Sequence, residues 1–99
     1  MNLVALIGEV VSPVEEDGDE AVRFALAVAA RGGKEAERVA VRAHGGQAAA
    51  CRAYLRPGHR VAIEGRVAPR ADPAEVLADR VQFLTTRSQA RQLSGRRPG

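Results

Sequence analysis

The chain has 99 residues, with 15 lysines and arginines, 12 acidic residues and one cysteine. A chain of this length forms one small domain that buries only about 60–65% of its unfolded surface, so we expect it to be marginal alone and to oligomerise. One cysteine excludes an internal disulfide. The absence of a charged-then-apolar leader or a long apolar run predicts a cytoplasmic protein without a membrane span.

The charges are distributed unevenly along the chain. Residues 1–20 contain six acidic side chains and neither lysine nor arginine. Residues 21–99 contain all 15 basic residues against the other six acids, a net charge of +9. A strongly basic body indicates a polyanionic partner, although arginines on solvated faces would give the same total. The positions of the arginines along the predicted strands must therefore distinguish these two explanations.

The first strand is predicted over Asn2–Val10, where both sides of the alternation are apolar. Such a strand is expected to be covered twice, by the core and by another sheet or subunit. The segment Ser12–Glu20 is acidic and rich in turn residues, which predicts a solvated loop. A calcium site is not predicted, because the Asp17 and Asp19 pair lacks the other ligands of a calcium loop.

The second and third strands are predicted over Ala21–Ala29 and Glu37–Ala43. Along the third strand, apolar residues alternate with Arg38, Arg42 and His44. Successive residues on one face of a strand lie about 7 Å apart, close to the spacing of phosphates along a nucleic-acid strand. This row predicts contact with a nucleic-acid backbone, with helix capping or solvation as the alternative role of the histidine.

The stretch Tyr54–Val67 contains a helix end, a turn and a strand. A helix is predicted over Gln47–Leu55, and Pro57 with Gly58 ends it because proline cannot continue a helix. In the strand that follows, Gly65 falls on the apolar side. A glycine there indicates a bulge, a tight bend or a close backbone approach.

The last strand is predicted over Glu75–Leu84, with a ragged alternation. Residues 85–99 have no periodicity and carry four arginines and no acid, which predicts a disordered basic tail after a domain formed by residues 1–84. The order of three strands, a helix and two strands predicts an all-β OB-fold, a five-stranded Greek-key barrel with a short helix between strands 3 and 4. The face and loops of this fold bind oligonucleotides.

Four blocks of the chain resemble bacterial single-stranded DNA-binding proteins, at plausible spacing and in the right order: Asn2–Gly8, Val22–Ala27, Tyr54–Val67 and Glu75–Leu84. The resemblance implies an OB-fold protein that binds single-stranded DNA with little sequence preference. It also implies a role in replication, repair or recombination, association with the nucleoid, and a homo-oligomer, either a tetramer or a dimer. Neither an enzymatic activity nor a cofactor is implied.

The chain departs from that family at its stacking residues. Family members stack bases on several tryptophans and a phenylalanine, whereas this chain has no tryptophan. The tryptophan position of strand three falls on Arg38 and the phenylalanine position on His44. We therefore expect charge to replace part of the stacking, since a guanidinium plane can lie on a base and also neutralise a phosphate.

The family also ends in an acidic tip that recruits replication proteins, whereas Ser94–Gly99 is basic. Either this chain does not recruit those proteins or its sequence is cut short.

The predicted DNA contacts lie on the third strand, on neighbouring strands and in loops beside the barrel. They are Arg23, Arg31, Lys34, Arg38, Arg42, His44, Arg66 and Arg70. For Arg66, pairing with Glu64 or Glu75 at a subunit contact is the alternative. The three aromatic residues, Phe24, Tyr54 and Phe83, are predicted to lie in the core or in an interface.

Two other functions remain open. One is that of a dimeric OB-fold subunit of the primosomal type, and the other is that of a protein-binding OB adaptor that has lost DNA binding. An enzyme is not predicted, because neither histidine has a serine or cysteine at a suggestive spacing and no phosphate-binding glycine loop is present. The single cysteine and two histidines are too few for a zinc site.

Overall fold

The structure is a computed structural model that describes residues 3–18, 20–29, 36–68 and 75–86. Within these ranges there are six strands and one helix. They are β1 (Leu3–Val10), β2 (Glu15–Glu16), β3 (Ala21–Ala29), β4 (Ala36–His44), α1 (Gly45–Tyr54), β5 (Arg60–Val67) and β6 (Glu75–Phe83).

Five of the strands close into a barrel. The hydrogen-bonded order is β1-β5-β6-β4-β3, and pairing of β1 with β3 closes it. The β4–β6 pair is parallel and the other pairs are antiparallel. This arrangement, with α1 between the third and fourth barrel strands, confirms the predicted OB-fold.

The segment between β1 and β3 differs from the solvated loop that the sequence predicted. Glu15 and Glu16 form a two-residue strand, β2, that pairs with Arg23 and Val22 of β3. We call Glu15–Asp17 the acidic arm. Because its backbone is bonded to β3, the arm holds its carboxylates beside the barrel.

The core is aliphatic, with one aromatic ring. The buried cluster draws on all five barrel strands and on α1; its members are Val10, Val22, Phe24, Leu26, Val41, Ala43, Ala48, Cys51, Leu55, Val61, Ile63, Val76 and Ala78. Phe24 is 3% exposed, which confirms its predicted place in the core. The alternation of buried and exposed residues along β3 and β4 directs their remaining side chains outward.

The helix α1 joins β4 to the turn before β5. It begins at Gly45, two residues earlier than predicted, because Gly45 adopts a positive φ of 60° that turns the chain out of β4. The helix buries Ala48 and Cys51. It ends before Pro57, as predicted, and Gly58 makes the turn with a φ of 95°.

At Gly65 the backbones of β5 and β6 approach each other closely. The register shifts between Glu64 and Gly65, and a Cβ at Gly65 would clash with the Leu77 carbonyl. Both the bulge and the close backbone approach that the sequence predicted are therefore confirmed. The shift also explains the ragged alternation of β6, where Ala78 and Val81 both pack on the core.

Candidate nucleic-acid interface

Four of the predicted contacts lie together on the outer surface of β3 and β4. Arg23, Arg38, Arg42 and His44 are all exposed. Arg23 and Arg42 each lie between two buried core residues, whereas Arg38 precedes the half-buried Val39. We call these four residues the basic face. The ladder between two long strands fixes the positions of their Cα atoms, so the face is held by the most extensively paired part of the barrel.

Arg23 and Arg42 are direct cross-strand partners. On one face of an antiparallel pair, directly opposite Cβ atoms are about 5 Å apart, and like charges there are destabilising. Arg38 lies opposite Ala27, and His44 lies opposite Ala21. The positive charge is therefore most concentrated at the Arg23–Arg42 pair.

A carboxylate of the acidic arm lies at this pair. Asp17 Oδ2 accepts a hydrogen bond from Arg42 Nε at 2.7 Å and is 3.7 Å from a terminal nitrogen of Arg23. On its other side, Arg23 Nε is 2.9 Å from a carboxylate oxygen of Glu75, at the start of β6. The two arginines thus share one arm oxygen, and two carboxylates balance their charge.

A shallow groove continues from this pair toward Arg38. Its volume is about 180 Å³ and its lining residues are Ser12, Glu15, Arg23, Phe24, Ala25, Arg38 and Ala40. Ala25 and Ala40 are directly opposite one another in the register, so small side chains form its floor. Arg38 makes no ion pair with any other described residue, which leaves its guanidinium available to a ligand.

His44 occupies the N-cap position of α1 with an extended backbone. Its side chain makes no capping hydrogen bond there. Helix capping by this side chain, one of the alternatives to DNA contact, is therefore wrong. The imidazole is exposed at the end of the basic face.

Arg66 lies in the same transverse row of residues as the arginine pair. Leu77 of β6 is the register partner of Arg42 on one side and of Arg66 on the other. With neighbouring strands about 4.8 Å apart, Arg66 is two strand spacings from Arg42. It pairs with Asp79 at 3.2 Å rather than with Glu64 or Glu75.

The acidic arm also reaches the helix. Glu16 accepts two hydrogen bonds from Arg52, from Nε at 2.7 Å and from a terminal nitrogen at 2.9 Å. This bidentate hydrogen bonding lowers the pKa of the Glu16 carboxyl below its ordinary value. The sequence reasoning missed the arm as part of the interface, although six acids before the first arginine were a signal for it.

Arg31, Lys34 and Arg70 were also predicted to contact DNA, and they lie outside the described residues. Most of the predicted tail, residues 87–99, lies outside them as well. Thr85 is described, and its hydroxyl accepts a hydrogen bond from the Arg60 N–H at 2.6 Å.

Two of the three aromatic residues lie away from the core. Tyr54 is 69% exposed and Phe83 is 37% exposed, so the core placement expected for them is wrong, whereas the interface alternative stays a prediction. Cys51 is fully buried, and desolvation raises the pKa of its thiol to about 11. Its thiol is therefore a core group, and burial disfavours the thiolate form.

Neither a metal-binding cluster nor a membrane helix is found among the described residues. No group of three or more histidine, cysteine or acidic side chains in these ranges could hold a metal ion. In the same part of the chain, no helix is long and apolar enough to cross a bilayer.

The barrel is similar to solved structures of single-strand-binding and related proteins. The N-terminal domain of PriB from Thermoanaerobacter tencongensis, solved as a dimer, aligns with a TM-score of 0.71 and 22% identity, over 86% of this chain and 98% of that one. A small single-stranded DNA-binding protein from Streptomyces coelicolor aligns with a TM-score of 0.69 and 23% identity, over 82% of this chain and 90% of that one. The SSB domain of a Synechococcus protein aligns with a TM-score of 0.73 and 22% identity, over 83% of this chain and 94% of that one. These likenesses confirm the fold.

Family membership follows from the sequence itself. None of the curated protein sequences matches this chain significantly. A model of the single-strand binding protein family matches residues 1–84, the whole predicted domain. This match confirms the family resemblance of the four sequence blocks and the single-strand binding function that it implied. The chain belongs to the single-strand binding protein family.

Proposed function

We propose that this protein binds single-stranded DNA through the basic face, chiefly by charge and with little sequence preference. The observation that carries the proposal is the convergence of Arg23 and Arg42 on Asp17 Oδ2. A carboxylate oxygen between two guanidinium groups resembles, in charge and geometry, a phosphate oxygen between the same groups. The arginines are therefore already placed for a phosphate.

Binding is then an exchange of anions. A DNA phosphate takes the place of Asp17 at Arg42 and Arg23, while Glu75 keeps its contact with Arg23 from the other side. The ion pair with Asp17 already restricts the Arg42 side chain in the free protein, which lowers the cost of fixing it on DNA. The freed carboxylate takes up a cation, so this contact contributes less to the salt dependence than an unpaired arginine does.

The groove between Arg23 and Arg38 is suited to the bases. Its floor of Ala25 and Ala40 lets a flat ring approach the sheet. Arg38 and His44 stand where the family carries its aromatic platforms, and a guanidinium plane or an imidazole can stack on any base. Stacking of this kind ignores base identity, which accounts for sequence tolerance.

The biological role that we propose is protection of exposed single strands in replication, repair or recombination, by a binding protein rather than an enzyme. Such a protein works where the DNA is, in the cytoplasm at the nucleoid. A dimeric subunit of the primosomal type is the nearest alternative, and the likeness to PriB favours it as the second candidate. A protein-binding adaptor is disfavoured, because it has no need for the row of Arg38 and Arg42.

The outer face of β1 supports a homo-oligomer, a dimer or a tetramer. Leu3 is 66% exposed and Ile7 is 56% exposed on that face, with Ala5 between them. Over Leu3–Ile7, β1 pairs with β5 on one edge and with no described residue on the other, since its pairing with β3 covers Gly8–Val10. An apolar strand with a free edge is suited to a second copy of this chain.

The test is a salt titration of a labelled oligothymidylate, followed by fluorescence anisotropy with duplex DNA as competitor. About five phosphate contacts give a slope of log affinity against log salt near −3.5. Replacing Arg38 by alanine should weaken binding and reduce the slope by about 0.7. The variant that also carries Arg42→Ala should bind more weakly still.

Arg80→Ala is the matched control, because Arg80 is an exposed arginine of β6 without an ion pair to a described residue. Its register partner is Glu64 of β5, beyond the part of β6 that pairs with β4. If Arg38→Ala and Arg80→Ala have equal effects, binding depends on net charge and the basic face is not the site.

A further inference from the structure

A second concave site lies at the far end of α1, away from the basic face. Its volume is about 210 Å³ and its surface is mainly apolar. The lining residues are Tyr54, Leu55, His59, Arg60, Phe83, Thr85 and Thr86. A cavity of about 150 Å³ is enough for a benzene ring. The site therefore has room for one six-membered aromatic ring.

The geometry of the two aromatic side chains indicates what the site accepts. The ring centroids of Tyr54 and Phe83 are 6.4 Å apart and the ring planes are inclined by 63°. In this edge-on arrangement the rings do not cover each other's faces. The Tyr54 side chain is largely exposed, so a flat ligand can stack on its ring and meet Phe83 at an angle.

The rim of the site is basic. Arg60 lines the cavity, and Arg56 and His59 come from the turn between α1 and β5. Arg56 donates to the Leu55 carbonyl and makes no ion pair with a described residue. Among the described residues, no acidic side chain lines the cavity. Arg60 makes no ion pair with a described residue either, although Glu9 of β1 is its register partner. Guanidinium groups near aromatic rings combine charge with stacking, as in sites that hold unpaired nucleotides.

We propose that Tyr54 and Phe83 form a second base-binding site, which takes an unpaired nucleobase of the strand bound on the basic face. Arg56 and Arg60 neutralise the phosphates that flank this base. The inference rests on the proposed function and extends the path of the bound DNA beyond the basic face. Its stacking platform replaces part of the stacking that the chain lacks on β4.

The helix supplies the connection between the two sites. It begins directly after His44 and ends at Tyr54, and its ten residues span about 15 Å. A DNA strand that leaves the basic face at His44 therefore reaches Tyr54 within a few nucleotides. Arg52, in the last turn of α1, lies along this route and is held by Glu16 of the acidic arm.

The chain offers a direct probe of this site. It has one tyrosine and no tryptophan, so its tyrosine emission comes from Tyr54 alone. Stacking of a base on the ring should quench that emission as oligothymidylate is added. The control ligand is a strand of the same length whose sugars carry no bases. It should bind the arginines, as followed by anisotropy, without quenching Tyr54.

Substitution gives an independent measurement. Tyr54→Ala should raise the Kd for oligothymidylate at least about fivefold, because base–aromatic stacking contributes on the order of 1–3 kcal/mol per base. Tyr54→Phe keeps the ring and should stay within about twofold of the parent. Neither change should alter the Kd for the abasic strand. Since Tyr54 is exposed, both variants should keep the melting temperature of the parent.

The possible results separate the two proposals. Tight binding of oligothymidylate with unchanged Tyr54 emission, or with equal Kd values for the Ala variant and the parent, overturns the second site and leaves the basic face intact. Quenching by the abasic strand also overturns it, because the effect would then not come from a base. Absence of binding by either strand at low salt overturns the proposed function itself.

Discussion

Arg42 donates from Nε to Asp17 Oδ2 at 2.7 Å, across 25 positions of sequence. The ion pair brings the acidic arm onto the arginine pair of β3 and β4, and the same oxygen lies 3.7 Å from Arg23. Asp17 therefore reduces the positive charge that the basic face presents, in addition to Glu75 at Arg23. The relation between these two residues makes the arm a competitor of DNA as well as a stabilising contact.

Replacing Asp17 by asparagine should strengthen binding of single-stranded DNA. The neutral amide leaves Arg42 and Arg23 without their shared anion, so a phosphate no longer has to displace one. The slope of log affinity against log salt should become steeper, by up to about 0.7 for one additional neutralised phosphate. Anisotropy titrations with oligothymidylate at several salt concentrations measure both quantities.

Glu64→Gln is the control for Asp17→Asn. It removes the same charge from an exposed position on β5, two strands from β4. Its affinity and slope should stay close to those of the parent. Weaker binding by Asp17→Asn would mean that the arm orders the arginines for DNA rather than competing with it.

The barrel could be predicted from sequence because its signals are local. Period-two alternation placed β3 and β4 within a residue or two, and Pro57 with Gly58 marked the end of α1. The strand β2 could not be predicted, since two glutamates have no periodicity and pair only because β3 offers a free edge. The contact of Asp17 with Arg42 depends on that pairing, so sequence alone could not show it.

Tyr54 illustrates the same limit at the second site. The sequence predicted that it lies in the core or in an interface, because its spacing matches that of the aliphatic neighbours. The buried side of α1 is formed by Ala48 and Cys51, and Leu55 continues it, so Tyr54 is directed beyond the core toward Phe83. The direction of one side chain at a helix end depends on where the next strand passes, which the helix sequence does not contain.

The outer face of β1 should control oligomerisation. Replacing Leu3 and Ile7 together by glutamate places two like charges on an apolar strand that we propose to be covered by a second copy. The expected result is a shift to monomer in analytical ultracentrifugation, with the barrel retained by circular dichroism because both side chains are exposed. Leu84→Glu, at an apolar position that is 38% exposed, is the control and should keep the parent's mass.

Gly65→Ala should destabilise the barrel. A Cβ at this position meets the Leu77 carbonyl, which is backbone of the neighbouring strand and cannot move without distorting the bulge. Overpacking of this kind costs about 1–3 kcal/mol of the free energy of unfolding. Urea denaturation followed by circular dichroism measures the change.

Gly46→Ala is the control for Gly65→Ala, since it introduces the same methyl group where no heavy atom lies within 4 Å. Gly46 is in the first turn of α1, so alanine should stabilise the protein by about 0.4–1 kcal/mol. The two substitutions should thus have opposite signs. A neutral Gly65→Ala would contradict the tight approach of β5 and β6.

His59 should make stability depend on pH. Burial lowers the pKa of its imidazole below the ordinary value, and the charge of Arg56 lowers it further. Between this folded-state pKa and the unfolded value of about 6.5, the unfolded chain binds a proton that the native protein does not. The contribution of His59 to the free energy of unfolding should therefore fall as the pH drops below about 6.5 and level off below the folded-state pKa. His59→Gln should abolish this fall in urea denaturation series, and a variant that retains the whole fall would assign it to another group.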